Sequence, residues 1–156
     1  MLGLFGRLLQ NDKPKGFMNR AKVQEMLIAH EGMKFTPYRC TAGKLTIGVG
    51  RSLDTKGITK EEAIMLLNND ISECKRDLAN LVFKGQFYKF PEPVQHALMD
   101  LRFQLGWKGF RGFKKMILAF KELDYEEAIV QMMDSRWYGQ TTNRADELIE
   151  IVRSVI

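Results

Sequence analysis

Strand-favouring residues are confined to one short stretch of this 156-residue chain, and that confinement limits its fold more than any other feature. From Lys34 to Leu53 the β formers Phe35, Tyr38, Leu45, Ile47 and Val49 are punctuated by Gly43, Gly48 and Gly50, with Thr41-Ala42-Gly43 reading as a turn. Everywhere else apolar residues recur at helical spacing. Before the stretch, Val23, Met26, Leu27 and His30 mark a helix that Asn19 starts and Gly32 stops, so that Glu31 is its last residue. After it, Thr59-Lys60-Glu61-Glu62 is a capping box opening a long helix whose stripe is Ala63, Leu66, Leu67, Ile71, Cys74, Leu78 and Val82. Residues 87–93 read as a loop. The following helix carries Val94, Ala97, Leu98 and Leu101 and is expected to stop at Gly106. Phe113 to Phe120 marks another helix, Asp124 to Glu127 a second capping box, and Ala145 to Val152 a last helix.

The pattern predicts an α+β, mostly helical protein: a small β-sheet N-terminal lobe and a larger helical C-terminal lobe, joined by a long helix, with a cleft between the lobes. The expected divisions are an N-terminal extension at 1–18 and one domain at 19–156. That domain comprises a helix and sheet at 19–59, a connecting helix at 60–83 and a helical lobe at 84–156. The start of the chain, with its apolar run broken at Arg7, matches neither a signal peptide nor a membrane span. It reads as an appendage with a short amphipathic helix.

Cys40 and Cys74 form no disulfide framework and read as free thiols of a reducing compartment. Cys74, on an apolar stripe, is a small core residue. The net charge of +5 favours an anionic partner, but no Lys or Arg run exceeds two and no nucleic-acid-binding signature is present. His30 and His96 suggest no metal site, and no cofactor is expected.

Chemistry points first to Glu31. A carboxyl at a helix C-terminus meets the negative end of the macrodipole, which disfavours its charged form, as would burial against Phe35 or Tyr38. A carboxyl kept protonated can donate to a leaving oxygen. Glycoside cleavage needs a second group beyond the sugar, and Cys40 and Thr46 are the next candidates, brought to one sheet by the turn at 41–43. Arg39 is expected to lower the Cys40 thiol and an ionised Glu31 to raise it. As thiolate, Cys40 can attack the anomeric carbon, act as base, or orient water. Thr46 has the plainer reading of a strand former.

On these residues the chain resembles the T-even bacteriophage lysozyme family of muramidases. The resemblance is carried by Glu31, Cys40 and Thr46 at the family's spacing within His30-Glu31-Gly32 and Thr46-Ile47-Gly48-Val49-Gly50, then by Gly57 to Ala63, Phe103 to Gly106, and Ser135 to Ala145. It covers roughly residues 22–154. It implies that Glu31 is the general acid, that Cys40 occupies the position of the second catalytic group, usually Asp, and that Thr46 helps hold the hydrolytic water. It places Ser52, Phe103, Met116 and Gln131 at sugar contacts and pairs Arg144 with the catalytic glutamate. Core packing is the alternative for Phe103 and Met116, and a solvated helix position for Arg144. The segment between Ser52 and Ile58 is shorter than in the T-even enzymes, and the N-terminus is extended.

The implied protein is a monomeric endolysin, made in the host cytoplasm, reaching peptidoglycan after release by a phage holin, with no nucleic-acid partner and no stable membrane insertion. The competing expectation is a peptidoglycan-binding protein in which Cys40 marks an impaired site.

Overall fold

The structure, a computed structural model, describes residues 18–156, so the expected N-terminal extension lies outside the described residues except for Met18. The described chain forms two compact units that divide after Thr59.

The first unit opens with α1 (Arg20–Glu31). Asn19 starts it by accepting from the Lys22 amide at 3.2 Å. Gly32 ends it at φ 73°, its amide returning to the Ile28 carbonyl at 2.9 Å. That backbone region costs an L-residue about 1 kcal/mol, so glycine fixes Glu31 as the last helical residue. Three strands follow, β1 (Lys34–Arg39), β2 (Leu45–Gly48) and β3 (Arg51–Ser52), antiparallel in the order β1-β2-β3. Tyr38 faces Thr46 and Arg39 faces Leu45, whereas Lys34 pairs with Gly48, so a bulge lies between Lys34 and Tyr38. Pro37, which has no amide to donate, falls inside it. Thr46 in turn faces Ser52 across β3. The Asp54 carboxylate closes the sheet by accepting from the Leu45 amide at 2.7 Å. Thr46 is the one buried side chain among the described residues of this unit, so its sheet depends on hydrogen bonds more than on an apolar core.

In the second unit α2 (Lys60–Arg76) continues directly into a widened π turn at Asp77–Val82 and stops at Phe83, a continuous helical run over the expected 60–83. A short 3-10 turn at Gln86–Lys89 occupies part of the stretch expected to be loop. Then come α3 (Glu92–Gly112), α4 (Lys114–Lys121), α5 (Tyr125–Met133), α6 (Arg136–Gln140) and α7 (Thr142–Arg153). Gly106 does not end its helix. It kinks α3 with φ 66° and ψ 171°, and the helix resumes to Gly112. Asp124 caps α5 as expected, accepting from the Glu127 amide at 2.9 Å. Leu78, Leu98, Leu101, Phe110, Phe120 and Met132 form the centre of one apolar core, with Phe83 edge-on to Phe90 at 5.1 Å. No helix among the described residues is long and apolar enough to cross a membrane.

Candidate active site

Glu31 owes its place to the glycine stop of α1. Its side chain turns toward the loop that joins β2 to β3 and lies against Gly50, where a Cβ would come within 3.3 Å of the carboxylate oxygen Oε2. Gly50 also has φ 70°, so the close approach and the backbone conformation both require glycine there. The expected cover by Phe35 is absent: that ring is 84% exposed. Backbone, rather than an aromatic pocket, flanks the acid.

At the other end of β2 the 40–44 turn builds a second site. The Gly43 amide donates to the Cys40 carbonyl at 2.8 Å and the Cys40 amide to the Lys44 carbonyl at 3.0 Å, with Gly43 at φ 76°. This turn aims amides at sulfur. The backbone N–H of Ala42, then that of Lys44, hold the Cys40 thiol below its ordinary range, slight desolvation works against them, and the Thr46 hydroxyl adds to the lowering. Arg39, expected to do this, instead donates through Nη1 to the Gly43 carbonyl at 2.7 Å and braces the turn. The Thr46 hydroxyl, on a residue only 3% exposed, rests 3.0 Å from the Lys44 carbonyl that it donates to. Tyr38, Cys40, Thr46 and Ser52 share one face of the sheet, by alternation along β1 and by cross-strand register. The Ser52 hydroxyl is enclosed and has no hydrogen-bond partner among the described residues.

Cys74 behaves oppositely. Burial pushes its thiol up, against the opposing pull of the Arg102 charge. Iodoacetamide at pH 7.5 is therefore expected to label Cys40 well before Cys74, because thiolate is the reacting form. Peptide mapping of a time course checks this, and equal labelling rates in the folded protein would contradict the thiolate-stabilising turn.

The remaining expected residues lie in the second unit. Phe103 is 46% exposed and borders a pocket with Leu67, Ile71, Asp100 and Arg144. Arg144 Nε donates to Asp100 Oδ1 at 2.9 Å. Met116 is buried in the core, at the floor of a larger cavity that Gln131 also lines, and Gln131 Nε2 donates to Glu127 Oε1 at 2.8 Å. Among the described residues, no three His, Cys, Asp or Glu gather to hold a metal ion.

A buried charge cluster has no counterpart in the sequence reading. Arg102, 5% exposed, donates through Nε and Nη2 to Asp77 Oδ2 at 3.0 and 2.5 Å, and through Nη2 to Glu73 Oε1 at 3.0 Å. A faint signal existed: Asp77 falls between Cys74 and Leu78, and Arg102 beside Leu101, both on apolar stripes.

Comparison with known proteins agrees with this geometry. The model of the phage lysozyme family matches residues 28–150. The chain is 29% identical to the pre-baseplate central spike protein Gp5 of Enterobacteria phage T4, over 83% of this chain and 27% of that protein. It is 24% identical to probable T4-type lysozyme 1 of Dictyostelium discoideum over 86% of this chain and 95% of that protein, and 26% identical to probable T4-type lysozyme 2 over 84% and 93%. The chain thus spans about a quarter of the spike protein and nearly all of the slime-mould proteins.

Proposed function

The chain belongs to the phage lysozyme family, and from that premise we propose that it is an endolysin. It hydrolyses the β-1,4 bonds between N-acetylmuramic acid and N-acetylglucosamine in peptidoglycan and so lyses the host. The observation that carries the reading is the sheet of the first unit, which holds a carboxyl and a stabilised thiol at the two ends of one strand.

In this reading Glu31 gives its proton to the leaving glycosidic oxygen as the bond to the anomeric carbon breaks. A water beside Thr46 and Cys40 attacks that carbon from the opposite face, and Cys40 thiolate takes the water's proton. Glu31 ends ionised and Cys40 protonated, and a proton returned through solvent resets both. The offset along β2 between the Gly50 loop and the Cys40 turn is roughly 10 Å, three strand steps of ~3.3 Å each. That spacing favours an intervening water over direct attack by sulfur. Ser52, Phe103, Met116 and Gln131 are assigned to the sugar chain, and Arg144, held by Asp100, to orienting Glu31. The protein acts as a monomer, made in the host cytoplasm and released to the wall through a holin pore.

NMR of the sugar freshly released from purified walls tests the mechanism. The reducing end is expected on N-acetylmuramic acid as the α-anomer, from inversion. A β-anomer would replace the water mechanism with a covalent intermediate on Cys40, and no reducing sugar at all would remove the hydrolase reading.

A further inference from the structure

Where α3, α4, α5 and α6 meet, the second unit opens a cavity of about 580 Å³. Its floor is apolar, formed by Leu105, Met116 and Trp137. Its rim carries three exposed cations, Lys114, Lys115 and Arg136, and no Asp or Glu lines it. None of the three makes an ion pair among the described residues, whereas Arg102, Arg144 and Arg153 of the same unit are each paired. Three unpaired positive charges around one concavity focus a field that attracts anions, and its size suits a ligand of several residues. The start of α4 adds to this field, since Phe113 caps it without any side-chain acceptor.

A glycan strand does not call for such a field, because its amides and hydroxyls are neutral. The anionic part of peptidoglycan is the stem peptide on the lactyl group of N-acetylmuramic acid, whose acidic residues carry free carboxylates in some walls and carboxamides in others. Its methyls and methylenes match the apolar floor. We infer that this cavity takes the stem peptide, and that Lys114, Lys115 and Arg136 make the enzyme prefer stems with free carboxylates to amidated ones. The inference rests on the peptidoglycan reading above and adds a specificity to it. Arg136 supplies a planar fork for a carboxylate and the two lysines supply mobile point charges.

The test uses the Glu31→Gln protein, so that binding is measured without turnover. Calorimetry compares a soluble disaccharide-tetrapeptide with free carboxylates against the same compound with its stem carboxylates amidated. The amidated compound is expected to bind about tenfold more weakly, a difference of ~1.4 kcal/mol. Adding K114Q, K115Q and R136Q is expected to erase that difference while leaving affinity for a peptide-free chitin oligosaccharide unchanged. All three side chains are exposed, and near-UV circular dichroism of the Trp137 region confirms folding. Equal affinity of the parent for both compounds overturns the inference, as does undiminished discrimination after the three substitutions. Carboxylate-dependent binding by a protein whose Glu31 form releases no sugar from walls would overturn the hydrolase reading alone.

Discussion

Glu31→Gln is expected to reduce wall clearing by about 10²-fold or more, while the folded protein keeps its stability. The substitution preserves the length and shape of the side chain, so the approach to Gly50, where a Cβ would already meet Oε2 at 3.3 Å, is undisturbed. The lost element is the acidic proton. An amide does not protonate a leaving oxygen, and loss of a positioned acid costs on the order of 10²- to 10⁴-fold. A hundredfold loss corresponds to a barrier about 2.7 kcal/mol higher. Stability moves little, because Glu31 is exposed and a negative charge at a helix C-terminus is mildly unfavourable to begin with, by about 0.3–1 kcal/mol. Turbidity of a wall suspension and thermal melting of the same preparation give both numbers. A variant that keeps more than a tenth of the activity would remove Glu31 from the acid role.

Asp77→Ala acts on the other axis, costing about 3–5 kcal/mol of folding stability with no direct effect on the chemistry. Arg102 is 5% exposed, and Asp77 receives two of its hydrogen bonds inside the helical core. Removing the carboxylate leaves a guanidinium buried without its counter-charge, which is far costlier than losing an exposed pair. Glu73 replaces little of it, since its side chain is 56% exposed and its bond to Arg102 is well solvated. For a chain of this size, each kcal/mol moves the melting temperature by about 2–4 °C, so a fall on the order of 10 °C is expected. Replacing both partners together, Asp77→Leu with Arg102→Met, is expected to recover most of the loss, because no buried charge then remains unpaired. Differential scanning calorimetry on the single and double variants separates the two effects. A single variant within 1 kcal/mol of the parent would show that water reaches Arg102.

Much of the fold was legible before the structure because its signals are local. Asn19 and Asp124 each bond an amide three residues on, and Gly32 accepts a backbone angle that other residues resist. The turn at 41–43 and the glycines around β2 are decided within a few residues. These local choices also placed the candidate site, since Glu31, Cys40 and Thr46 lie on consecutive short elements of one unit. The acidity of Cys40 was anticipated in direction but attributed to the wrong neighbour. Arg39 is adjacent in sequence, yet its guanidinium reaches the Gly43 carbonyl, and the amides of Ala42 and Lys44 act on the sulfur instead.

The amino-acid order alone determined where most helices start, that a three-stranded patch interrupts them, and that a carboxyl, a thiol and a hydroxyl follow one another across that patch. Each of these depends on backbone preferences and contacts spanning only a few residues. Tertiary structure alone decided that Gly106 bends α3 instead of ending it, that Met116 sinks into the core while Phe103 stays half exposed, and that Asp77 finds Arg102 across 25 positions. Those outcomes depend on which distant surfaces pack together. A glycine permits both a stop and a bend, and a charge on an apolar stripe has no meaning until its partner arrives from another helix.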